Sequence, residues 1–293
     1  MSSYGERVPV GAGDACYRHP GRQSFVLCQR CGRTICPDCQ TQSAVGVLCP
    51  HCMKESAPAR KRQATAQGSS GAPVVTYAIM AVCGVVFAAQ LLVPGLTQLI
   101  WFAPVYGLPG NFEPWRMVTS MFAHSTSFLP HILLNMYALW VFGRQLEQFF
   151  GRWRYLFLYL ASGVAGSVVV LLSGYASSGL MHTAVVGASG AIFGVFAATF
   201  VVGRALGAQM TSLLVMLAIN FAIGFMPGTN IAWQAHLGGL LGGAAVAFLL
   251  MRTRGPRRRA AQIAGLVGIA AALVLLSAAY FLTMPSAGVL LGA

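Results

Sequence analysis

Two sets of side chains in this sequence have the types and spacing to do chemistry. The first lies near the N-terminus: Cys16, His19, Cys28, Cys31, Cys36, Cys39, Cys49 and Cys52, arranged as the pairs CYRH, CQRC, CPDC and CPHC. Two intervening residues let both ends of a tight turn reach one ion, and a tetrahedral site needs two such pairs. Eight ligands therefore make two sites. Soft thiolates select zinc over magnesium or calcium and leave iron–sulfur chemistry open. His51 stands beside Cys52 as an alternative eighth ligand. With every position filled by protein, the sites are structural rather than catalytic.

The second set is spread through apolar sequence: Ser189 in VVGASGAIFG, His131 and Asn135 in HILLN, and His236 in AHLGGLLGG. Each has a plain structural reading. A serine among glycines packs helices, and a histidine or asparagine can bond one helix to another. Together they admit a sharper one. A serine hydroxyl is a weak nucleophile until an adjacent base takes its proton. Gly190 with Gly194 and Gly239 with Gly243 are four-residue ridges that let two helices approach closely enough for Ser189 to meet His236. His131 and Asn135, four apart on one helix face, can donate to an oxyanion. Beyond the N-terminal section the acidic residues are Glu113 and Glu147, neither placed to orient His236. A Ser–His dyad is expected, without a third member. GASGA also departs from the GxSxG nucleophile elbow, since Ala191 replaces the last glycine, which excludes an α/β-hydrolase.

What must position these residues is a set of membrane helices. The chain of 293 residues is 56% hydrophobic and 9% charged, whereas soluble domains carry about 25% charged residues. Apolar stretches of roughly 20 residues, the length that spans a bilayer, recur. Spans are expected near 73–93, 129–147, 154–173, 184–202, 208–226, 234–251 and 261–282. The fold class is thus an all-α polytopic membrane protein, six core helices plus a seventh, with a small N-terminal metal-binding domain. Placing the N-terminus inside puts Arg144, Arg152, Arg154, Arg204 and the five arginines of 252–259 on the cytosolic side, against Arg116 alone opposite. Ser189 and His236 then share one depth, near the outer ends of their helices. The formal charge of +13 is accounted for by this asymmetry and by contact with acidic lipid, not by nucleic acid.

No secretory signal opens the sequence, so the first span is expected to direct insertion. The domain expectation is a metal module over 14–54, a polar flexible linker over 55–72 and a membrane domain over 73–293. Seven of the eight cysteines fall in the module. A reducing cytosol disfavours disulfides there and favours metal. Arginine in excess of lysine, with abundant alanine and glycine, hints at a GC-rich bacterial genome and a bacterial plasma membrane.

Residues 16–52 resemble a B-box zinc finger. The resemblance implies a cross-brace in which Cys16, His19, Cys36 and Cys39 share one zinc while Cys28, Cys31, Cys49 and Cys52 share the other. It also implies a protein-binding role toward a cytosolic partner. Residues of about 95–255 resemble the rhomboid family of intramembrane serine proteases. The matching motifs are Trp115–Arg116, His131–Asn135 (HxxxN), Glu147–Gly151 (ExxxG), GASGAIFG around Ser189 and AHLGG around His236.

That resemblance implies Ser189 as nucleophile and His236 as general base. The oxyanion would be bound by His131, Asn135 and the Ser189 N–H, and Phe193 would pack on the catalytic histidine. It further implies Trp115 and Arg116 in a structured loop after the first span, Glu147 in contacts at the cytosolic end, and transmembrane proteins as substrates, entering between the second and fifth spans. His124 and His182 match no role. A non-cleaving membrane-protein binder and a histidine-lined transporter are the rival classes; the former leaves the complete set of polar residues without a purpose, and few acidic residues serve the latter.

Overall fold

The computed structural model describes residues 14–43, 46–55, 71–226 and 231–285. The linker expected over 55–72 lies, apart from its ends, outside the described residues. The chain forms two compact units, Met1–Gln67 and Gly68–Ala293.

In the first unit, β1 (Ala15–Cys16) pairs antiparallel with β2 (His19–Gln23), and β3 (Thr41–Ser43) with β4 (Gly46–Leu48). Its interior consists of six buried cysteines around Ile35, the one wholly buried aliphatic side chain among the described residues of this unit. So little apolar burial does not sustain a fold without cross-links.

The second unit is helical. Among the described residues it has seven helices of at least 13 residues, one for each expected span. They are α1 (Val74–Leu92), α2, α3 (Arg152–Ser173), α4 (Ser189–Ala205), α5 (Thr211–Ile223), α6 (Trp233–Arg252) and α7 (Arg259–Thr283). Helix α2 comprises Pro130–Ala138, a wide π-turn over Leu139–Gly143, and Arg144–Phe150, with right-handed dihedrals kept across both joints. Pro130 suits its first turn, where an N–H has no acceptor anyway. Gly151, at φ 85°, then reverses the chain into α3. Helices α1, α3, α6 and α7 are long and apolar enough to cross a membrane, and α4 and α5 are shorter apolar helices.

Helix α6 is pressed against α3 on one side and α4 on the other. Small residues make this possible: a Cβ on Gly239 would fall on the Gly190 carbonyl, and one on Gly243 on the backbone of Gly194. The two glycine ridges therefore face each other, and the helix backbones touch.

Polar side chains tie down the ends. Glu147, buried in α2, accepts from Val75 N (2.9 Å), Thr76 N (2.7 Å) and Thr76 Oγ1 (2.8 Å), and so caps the start of α1. The long loop between α1 and α2 is held by Arg116, whose Nε donates to Glu113 Oε2 and whose Nη1 donates to the Gln98 carbonyl at 2.6 Å. Its guanidinium lies 4.0 Å above the Tyr106 ring. Helix α7 is docked along its length: buried Gln262 accepts from Arg154 at 2.7 Å, and Tyr280 is wholly enclosed near Met181.

One boundary differs from expectation in a way that matters. Helix α4 starts at Ser189, not near 184, because Val185 pairs with Phe102 in a short extended bridge (2.7 and 3.1 Å). Gly187 then turns the chain at φ 122°.

Candidate active site

Ser189 is the first residue of α4. Its N–H therefore has no acceptor one turn back and sits at the positive end of the helix. Three residues after the start of α6, His236 projects toward it, and His236 Nε2 lies 3.0 Å from Ser189 Oγ. The separation of 47 residues closes through the glycine contact between α4 and α6. His236 is buried, and Phe193, one turn after Ser189, stacks on its imidazole with centroids 4.0 Å apart and planes 7° from parallel. His236 Nδ1 has no partner among the described residues.

His131 comes to the same place from α2. The Ser125 backbone N–H donates to His131 Nδ1 at 3.2 Å. A backbone N–H can only donate, so the neutral ring carries its proton on Nε2. A Cβ on Gly187 would lie 2.7 Å from His131 Nε2 and 3.6 Å from Ser189 Oγ, so both atoms border the space that this glycine leaves open. Gly187 N donates in turn to the Ser120 carbonyl at 2.9 Å, which anchors the turn before Ser189. Asn135 is buried one turn along α2, and its Nδ2 donates to the His131 carbonyl at 2.6 Å, leaving a second N–H. The structure thus brings Ser189, His236 and His131 together, with Asn135 bonded to the His131 carbonyl one turn along α2. A hydroxyl next to a base, flanked by a helix-terminal N–H and a side-chain donor, is equipped for acyl transfer.

Other residues join the site without a sequence motif to announce them. Gln90, the one amide side chain in α1, bonds to the backbone of His124, and the His124 ring lies 5.3 Å from that of His131. His124 is wholly buried, and burial, then the His131 ring, push its pKa down to about 4, so it stays neutral. His182 is exposed in the loop before α4. A cavity of about 470 Å³ lies between Leu180, Thr183 and Ala184 on one side and residues 231–234, which lead into His236, on the other.

The N-terminal unit gathers its ligands into two quartets, Cys16–His19–Cys36–Cys39 and Cys28–Cys31–Cys49–Cys52, each with ligand atoms within 4.8 Å of one another. Two thiolates bound ~2.3 Å from a tetrahedral zinc stand about 3.8 Å apart; Cys31 and Cys49 Sγ are 3.8 Å apart. His19 Nδ1 is 3.3, 3.5 and 3.8 Å from its three sulfurs. Burial works against the Cys16 and Cys28 thiolates, yet backbone N–H donors bring each pKa down to about 6. Cys52 lies in the second quartet, whereas His51 is exposed and faces Glu55 at 3.7 Å.

The Rhomboid domain family profile matches residues 111–253, the stretch holding Trp115, His131, Asn135, Ser189 and His236. RHOMBOID-like protein 6, mitochondrial, of Arabidopsis thaliana is 36% identical over 149 residues, 48% of this chain and 45% of that protein. Rhomboid protease GluP of Bacillus subtilis is 33% identical over 187 residues, 59% of this chain and 34% of its own length. The putative rhomboid protease YdcA of the same bacterium is 31% identical over 192 residues, which cover 90% of that protein. The chain belongs to the rhomboid family. It spans less than half the length of the first two relatives and nearly all of the third. The matched region holds α2 to α6, with α1 before it and α7 after it.

Proposed function

We propose that this rhomboid is an intramembrane serine endopeptidase that cleaves transmembrane segments with a dyad of Ser189 and His236. The observation that carries the reading is the 3.0 Å contact between Ser189 Oγ and His236 Nε2, with the imidazole plane held by Phe193.

In the reaction, Ser189 Oγ attacks the scissile carbonyl carbon while its proton passes to His236 Nε2. The oxyanion accepts hydrogen bonds from the Ser189 N–H, His131 Nε2–H and Asn135 Nδ2–H, and loss of one such donor costs about 10²–10³ in rate. His236 then returns the proton to the leaving amine. Water, deprotonated by His236, hydrolyses the acyl-enzyme and restores Ser189. A helical substrate must unwind first, because its amides are hydrogen-bonded and shielded. Entry lies between α2 and α5, and α5 has a single buried residue, Leu213, consistent with loose packing there.

The domain reading pairs this membrane domain (73–293) with a two-zinc B-box-like module (14–54) on a linker (55–72), the arginine-rich helix ends facing the cytosol of a bacterial plasma membrane. The module serves a cytosolic protein partner.

A fluorophosphonate probe applied to the purified protein tests the dyad. Labelling of the wild type that disappears in Ser189→Ala and His236→Ala is expected, and equal labelling of all three would overturn the reading. Metal analysis should give two zinc per chain; a value near zero would reject the module assignment.

A further inference from the structure

We propose that Gln90 is a positioning residue for His131, acting through the backbone of His124 and Ser125. For its kinetic consequence this rests on the protease reading above; the geometry stands by itself.

Helix α1 is apolar toward its C-terminal end except for Gln90, which is buried there. A glutamine in a membrane helix is costly unless its amide finds partners. Gln90 finds three. Its Oε1 accepts from His124 N at 3.0 Å, and its Nε2 donates to the His124 carbonyl at 3.0 Å and to Thr97 Oγ1 at 2.9 Å. Reversing the amide would set donor against donor at His124 N and oxygen against oxygen at its carbonyl, so the bonds define the orientation.

The paired contact to one peptide residue resembles a rung of a β-ladder, supplied by a side chain 34 residues away. No other bond to the backbone N–H or carbonyl of His124 occurs among the described residues.

The next N–H in the chain, that of Ser125, is the donor to His131 Nδ1. This bond decides which nitrogen of His131 carries the proton. The segment from Ser125 to Phe128 (STSF) belongs to no helix or strand that would hold it otherwise. Gln90 thus sets the His124 peptide, which presents the Ser125 N–H, which keeps the His131 proton on Nε2 at the space beside Ser189. Gln90 touches none of the reacting atoms.

The test uses the full-length protein in detergent micelles with isotope-labelled histidine. NMR of the wild type should show His131 in the Nε2–H form. Gln90→Met, equal in length, without a donor and with only a weakly accepting thioether, should shift His131 toward a mixture of tautomers; an unchanged tautomer would overturn the inference. Gln90→Glu keeps the acceptor for His124 N–H and should give a smaller shift in the same direction, which decides the matter if the methionine variant does not fold.

In cleavage assays Gln90→Met should lower kcat about 10- to 100-fold with KM nearly unchanged, the pattern of weakened transition-state stabilisation. In a His131→Ala background the same change should have little further effect. A full additional loss there would mark a general structural role and sink the proposal. A wild type without Ser189-dependent cleavage would remove the protease reading alone, because the tautomer measurement still decides the role of Gln90.

Discussion

Phe193 lies flat on the imidazole of His236, 4.0 Å between ring centroids and 7° from parallel. His236 Nδ1 has no partner among the described residues, so this face contact, rather than a carboxylate, aligns Nε2 with Ser189. Phe193→Ala should therefore free the ring and lower turnover about 10- to 100-fold through lost alignment, whereas Phe193→Tyr, which keeps the stack, should retain most activity. Cleavage rates beside thermal unfolding of each variant separate alignment from stability.

Gly187 stands where His131 Nε2 and Ser189 Oγ meet. Gly187→Ala would put a methyl 2.7 Å from Nε2 at a φ of 122° that alanine rarely adopts. About 1–3 kcal/mol of strain is expected, with fluorophosphonate labelling and cleavage both reduced at least about 10-fold. Labelling equal to the wild type would show that the donors do not share this space.

Glu147 offers a different prediction, because its carboxylate accepts three hydrogen bonds at the opposite end of the helices. Glu147→Gln replaces an acceptor oxygen with a donor facing Val75 N–H or Thr76 N–H. A loss of about 2–3 kcal/mol is expected, read as a lower unfolding temperature in detergent. The kcat of the folded fraction should stay within about twofold, since the residue takes no part in acyl transfer.

The two quartets predict a simple metal count. Cys52→Ser should bind one zinc in place of two, and His51→Ala should keep both, because Cys52 lies among Cys28, Cys31 and Cys49 while His51 faces Glu55. The opposite result would exchange their roles. Chelation should also collapse the dispersed NMR spectrum of this unit, whose buried interior is mostly cysteine.

Much of the architecture was legible along the chain. Each expected span coincides with a helix, and α1, α3, α6 and α7 have the length and apolarity to cross a bilayer, a property that apolar run length reports without reference to the rest of the fold. The facing glycines of α4 and α6 were legible for a similar reason: only residues without side chains permit backbone contact, so Gly190, Gly194, Gly239 and Gly243 name their own interface. Less visible was the start of α4. Periodicity carries an apolar run through Val185 and Val186, yet pairing with Phe102 holds Val185 extended. Gln90 escaped altogether and His124 was assigned no role, since neither belongs to a motif and their contact joins residues 34 apart.

By itself the sequence determined which residues can do chemistry: a serine and two histidines in apolar surroundings, and eight candidate metal ligands in four pairs of equal internal spacing. Residue type and local spacing carry that information, because they follow from covalent chemistry and helix geometry. Tertiary structure alone decided the start of α4 at Ser189 and the hold of Gln90 on the His124 backbone. Both depend on a partner distant in the chain, Val185 on Phe102 and Gln90 on His124, and such pairings exist only once the packed helices bring them together.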